Sequence, residues 1–153
     1  MLKFALTIFV SAAVVSCSTA INDTFNSEEL VSSKGEKIYV NTLNWGITGD
    51  YQISAISANK DKIRDPLDTL GTVKGLEPFF YSFKNDTLSL YFNHTIRYRL
   101  QDNFKTIHVN YIVLDSEMYQ EARTKAYNNQ ENYYSVPTRG NINYPADMPK
   151  PPK

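Results

Sequence analysis

The sequence predicts a mainly β protein: an antiparallel β-sandwich or barrel-like domain with one C-terminal helix and a flexible Pro-rich tail. Three observations carry that expectation. Between Ile38 and Ile112, apolar residues recur at every second position in short runs, the period of a strand with one buried face. Asn, Asp and Gly interrupt these runs, as in two-sheet folds where turns recur roughly every 8–12 residues. From Asp115 the apolar period lengthens to that of a helix. The chain has 153 residues, 42% of them apolar, which suits one domain and excludes wholesale disorder. Sixteen basic and 16 acidic residues cancel, which argues against nucleic acid as a partner. A single Cys excludes an internal disulfide framework and a Cys-based zinc site.

Residues 1–16 read as a targeting segment. Lys3 precedes an apolar run from Phe4 to Val15, the charged and apolar regions of a secretory signal. The run is shorter than the roughly 20 apolar residues of a transmembrane helix. Cys17 follows it directly, and Val14-Val15-Ser16-Cys17 resembles the lipobox of bacterial lipoproteins. The resemblance implies that the Cys17 thiol receives diacylglycerol, that cleavage falls just before it, and that the new amino group takes an acyl chain such as palmitate. A thiol is the most nucleophilic side chain near neutral pH, so it suits thioether formation. Two alternatives stand beside this reading. An ordinary signal could be cut after Ala20, since Ser18-Thr19-Ala20 is a small-x-small site. The Cys could also be accidental, in a retained hydrophobic segment.

Residues 17–37 read as the lipidated Cys and a polar tether, because Ser, Thr, Asn, Asp, Glu and Lys dominate them. The globular domain is expected at 38–136. Lys37–Asn41 is a short β-rich run, and Trp45 to Asp50 has turn chemistry. Tyr51–Ser57 alternates, and 59–78 reads as a long loop with a short strand near Leu70–Val73. Phe79, Tyr81 and Phe83, then Leu88, Leu90 and Phe92, flank the turn at Asn85-Asp86-Thr87 and predict a β-hairpin. Ile96, Tyr98 and Leu100 alternate with Arg97 and Arg99 and predict another strand, as do Ile107, Val109, Tyr111 and Val113. A helix is expected at about 115–128. Asp115 would cap it, Met118, Tyr119, Ala122 and Ala126 would form its apolar stripe, and Glu121 and Lys125 would pair. Residues 137–153 hold five of the seven prolines and read as a disordered tail.

Candidate chemistry is sparse. The two histidines, His94 and His108, lack an HxH or HExxH context, so no metal is expected. No GxSxG elbow is present, and Gly46-x-x-Gly49 lacks the lysine of a phosphate loop. Asp61, Asp65 and Asp68 cluster without EF-hand spacing and read as solvated loop acids. Trp45, Tyr91, Arg97 and Arg99 form the candidate binding surface, since Tyr, Trp and Arg are enriched at interface hot spots. The plainer reading of these residues is cross-strand packing and a solvated sheet face.

Trp45-Gly46-x-x-Gly49-x-Tyr51-x-Ile53, Phe80-Tyr81 and Asn85-Asp86-Thr87-Leu88-x-Leu90-Tyr91 resemble small uncharacterised lipoproteins of Bacteroidetes-type bacteria. The resemblance spans about 1–17 and 39–92 and implies an envelope location, with no activity attached. The expectation is therefore a non-enzymatic binding or accessory module without a cofactor. It would be anchored to the outer membrane through Cys17, facing the periplasm or the surface, with a protein or glycan partner. The alternatives are a small hydrolase with its site in the 59–78 loop, an immunity or inhibitor protein, and a soluble secreted or periplasmic location.

Overall fold

The computed structural model describes residues 24–45, 51–75 and 78–136. The signal segment, Cys17, the Gly46-x-x-Gly49 turn and the Pro-rich segment 137–153 lie outside the described residues. Among the described residues the fold is mainly β, with two sheets and one helix, in a sandwich-like arrangement.

The first sheet has the order β1 (Thr24–Val31), β2 (Lys37–Trp45), β3 (Tyr51–Ser57), β4 (Val73–Lys74), all antiparallel. β1 corrects the tether reading: the segment expected to run free to residue 37 holds a strand from Thr24. It is held by backbone pairing to β2 along its whole length, from Thr24 opposite Asn44 to Val31 opposite Lys37. An edge strand needs few apolar side chains and tolerates charge. Only Phe25 and Leu30 of β1 pack against the cores, so composition gave no sign of a strand.

The second sheet has the order β7 (His108–Leu114), β6 (Thr87–Asn93), β5 (Phe80–Lys84), β8 (Tyr133–Ser135). The β5–β6 hairpin forms where alternation predicts it. Asn85 and Asp86 both have positive φ, 50° and 57°, the conformation that a two-residue hairpin turn needs and that Asn and Asp tolerate. β6 and β7 run parallel, an exception to the antiparallel expectation. The strand expected at 96–100 is absent; residues 94–107 form an irregular crossover that carries the chain back to the start of β7. A parallel neighbour requires such a return, and the crossover's apolar residues alternate because Tyr98 is buried and Ile96 and Leu100 pack beside it.

The main core lies between the sheets. Ile38, Val40 and Ile56 meet Phe79, Tyr81, Leu88, Leu90 and Phe92, closed by Tyr98, Ile107 and Val136. Phe79 stacks on Tyr98 at 5.5 Å and lies 6.0 Å from Phe92. On the outer face of the first sheet, Leu43, Ile53 and Ala55 take Ile63 from the 58–72 loop. On the outer face of the second, Phe80 and Leu114 take Ala122 and Ala126 of the helix α1 (Ser116–Tyr127). Both sheets are therefore covered on two faces, which is why β3 is buried from Gln52 to Ser57.

Asp115 caps α1 as expected, accepting from the Met118 N–H at 2.8 Å. Lys125 lies 2.9 Å from Glu121. Met118 departs from the expected stripe: it is 52% exposed, and the small side chains of Ala122 and Ala126 make the contact instead.

The crossover is fixed by hydrogen bonds to distant residues. The Tyr98 hydroxyl accepts from the Ile56 N–H at 2.8 Å and donates to its carbonyl at 3.2 Å. It thus takes the place of a neighbouring strand beyond the short β4, and burial pushes its pKa up to about 12. Asp102 accepts from the Ser57 hydroxyl and the Ala58 N–H, both at 2.7 Å. At the end of the crossover Glu36 receives the backbone N–H groups of Lys105, Thr106 and Ile107 and the Thr106 hydroxyl. The backbone hydrogen bond from Lys105, followed by those from Thr106, lowers its pKa to about 2. Asp86 of the β5–β6 turn accepts from both the N–H and the hydroxyl of Ser33, and its carbonyl accepts from His108. Both hairpin turns and the crossover are knotted together at this end.

Candidate binding surfaces

The residues singled out from sequence do not assemble into one patch. Cys17 lies outside the described residues. Trp45 ends β2, its backbone paired with Tyr51. Tyr91 sits on the helix-facing side of β6, half-buried, its hydroxyl 3.0 Å from that of Ser82 and its ring 5.0 Å from Tyr133. Arg97 and Arg99 do not project from a strand, because residues 96–100 form none; both are exposed on the crossover. The Arg99 guanidinium lies 5.0 Å from the Tyr111 ring. Tyr111 is on the opposite face of the second sheet from Tyr91, since Leu90, one residue from Tyr91, pairs with it. The sheet therefore separates Arg99 from Tyr91.

His94 and His108 are also apart. The His94 N–H bonds to the Leu114 carbonyl, at the far end of β7 from His108, a distance of about 20 Å along the strand. The His94 ring lies 3.1 Å from the Ser116 hydroxyl. Among the described residues, no group of three or more His, Cys, Asp or Glu could hold a metal.

Concavities open on both sides of the sandwich among the described residues. A cavity of about 350 Å³ lies between α1 and the second sheet, lined by Tyr91, Ile112, Met118, Ala122, Lys125 and Tyr133. Lys125 lines it while pairing with Glu121 at 2.9 Å and Glu131 at 3.0 Å, and those partners raise its pKa. The Tyr133 hydroxyl is also raised, first by its hydrogen bond with Tyr91. The second concavity, of about 310 Å³, lies between the 58–72 loop and the crossover, lined by Ser57, Asn59, Lys62, Leu70, Gln101 and Asp102. Asp102 belongs to the crossover and Lys62 to the 58–72 loop, 40 positions apart in the chain. The crossover brings them together, and no local signal marks that meeting.

The acids of the loop are engaged in holding it. Asp61 pairs with Arg64 at 2.8 Å, Asp65 accepts from the Leu67 N–H at 2.9 Å, and Asp68 pairs with Lys62 at 2.5 Å. The hydrogen bond from Lys62, then that from the Ile63 N–H, lowers the Asp68 pKa. Each of these carboxylates has a partner within the loop.

No helix among the described residues is long and apolar enough to cross a membrane. The chain matches no protein-family model, no curated protein and no solved structure.

Proposed function

We propose that the protein is a lipoprotein of the bacterial cell envelope, a non-enzymatic binding or accessory module anchored through Cys17. The observation that carries the reading is the place of the one Cys, directly after an apolar run of signal-peptide length and behind Val14-Val15-Ser16. Two acyl chains or more would give firm anchoring, at about 0.8 kcal/mol per buried CH₂. The non-enzymatic part rests on the sequence, in which no GxSxG elbow, HExxH or phosphate-loop motif is found. Replacing Cys17 with Ser tests the anchor. The variant is expected to leave the membrane fraction, whereas a variant that still floats with membranes overturns the reading.

A further inference from the structure

We propose that the end of the sandwich where β1 begins rests on the lipid surface, so that the knotted end points away from it. This rests on the reading of Cys17 as the lipidated residue. Thr24 opens β1 seven residues after Cys17. A chain spans at most about 3.5 Å per residue, so the start of β1 stands no more than about 25 Å from the acylated sulfur. A tether reaching to residue 37 would have left the body free to turn; a link of this reach ties one particular end to the membrane.

That end is defined by the register. Thr24 lies opposite Asn44, and Trp45 opposite Tyr51. β6 and β7 finish there with Asn93 opposite Leu114, and α1 starts there. The Ser33–Asp86 contact puts the β1–β2 and β5–β6 turns together at the other end. The end that receives the link also carries exposed apolar side chains: Tyr51 at 62%, Met118 at 52% and Val113 at 47% exposure. A Tyr ring suits the headgroup level, with an apolar body and a polar tip. The knotted end exposes Lys34, Lys37, Lys105 and His108, with Val31 as its exposed aliphatic side chain. Asp115 and Glu117 lie near the membrane-facing end, in the cap and first turn of α1, so a zwitterionic surface suits it better than an anionic one.

Trp45 is the only Trp of the chain and so reports on this end alone. The full-length gene product, recovered from membranes, is reconstituted into zwitterionic vesicles with and without brominated acyl chains, and Trp emission is compared. A second protein, W45F/K34W, moves the indole to the exposed β1–β2 turn, and circular dichroism checks its fold. Brominated lipid is expected to quench Trp45 and to leave the indole at position 34 much less affected. Equal quenching of the two, stronger quenching at position 34, or no quenching of Trp45 overturns the orientation. Flotation of the vesicles reports the anchor separately, and loss of flotation sinks the lipidation reading. The same pair coupled through the Cys17 thiol to a maleimide-headgroup lipid then still decides the orientation.

Discussion

Residues 58–72 and residues 94–107 each cover part of a sheet without regular structure of their own, yet they are held in different ways. The first segment is tied largely to itself. Its ion pairs and turn bonds join residues two to six positions apart: Asp65 with Leu67, Asp61 with Arg64, Lys62 with Asp68. It reaches the sheet through Ile63, through Arg64 over Phe25, and through its Asn59 carbonyl, which accepts from the Asn41 side chain. The crossover makes the opposite choice. Tyr98 bonds to a residue 42 positions away, Asp102 to residues 44 and 45 away, and Glu36 reaches it across 69 to 71 positions. A self-tied loop can open by itself, whereas a segment that closes the core cannot leave without exposing it. The crossover should therefore belong to the global unfolding unit and the loop to a local one.

The largest expected effect is at Tyr98. Tyr98→Ala removes a ring that is 5% exposed and stacked on Phe79, and should cost about 4 kcal/mol by cavity formation. Tyr98→Phe keeps the ring and strands both backbone groups of Ile56, costing about 2 kcal/mol. Denaturant titration should show the whole domain shifting in one transition. If only part of the signal shifts, the crossover is not part of the cooperative core.

Glu36→Ala comes next. It leaves three backbone N–H groups at the end of the crossover without their carboxylate. The folded pKa of about 2 lies below the ordinary 4.5, so the carboxylate stabilises fully above the unfolded value, and that contribution fades as pH falls from about 4.5 towards 2. Melting temperature measured against pH should fall across that window in the native protein and more shallowly in Glu36→Ala. Parallel curves would show that this contact adds nothing to folding.

Ile63→Ala should act locally. Ile63 is fully buried but belongs to a cluster of four buried residues on the far side of the first sheet from the main core. Its φ of 64° is strained for a β-branched side chain, so Ala relieves some strain while losing burial. A net loss of about 1–2 kcal/mol is expected, seen as faster hydrogen exchange in 58–72 with the β5–β6 hairpin unchanged. Smallest of all should be Lys62→Ala: an ion pair with side chains 21% and 40% exposed is worth less than about 1 kcal/mol. A larger change would mean that the loop is coupled to the core after all.

The same contrast explains what could be read from the sequence. The β5–β6 hairpin, β3 and α1 are specified by neighbours in the chain: alternation, the Asn85-Asp86 turn, the Asp115 cap, the Glu121–Lys125 pair. β1 was hidden because an edge strand is held by its partner's backbone and its own side chains stay polar. Ile96, Tyr98 and Leu100 alternate like a strand, but their backbone pairs with no neighbour, since Tyr98 serves Ile56 through its hydroxyl instead. The expected Tyr–Arg patch failed for the same reason: without a strand at 96–100, Arg97 and Arg99 share no sheet face with Tyr91. Both cavities are lined by residues brought together from distant elements, so neither left a motif.

The proposed function makes one statement about covalent structure, and mass spectrometry of the N-terminal peptide from the protein purified from whole bacteria tests it most directly. The account predicts a chain that begins at Cys17 and carries the added mass of diacylglycerol and an acyl group. A chain that begins at Ile21 with no added lipid, as cleavage after Ala20 would leave it, contradicts the account.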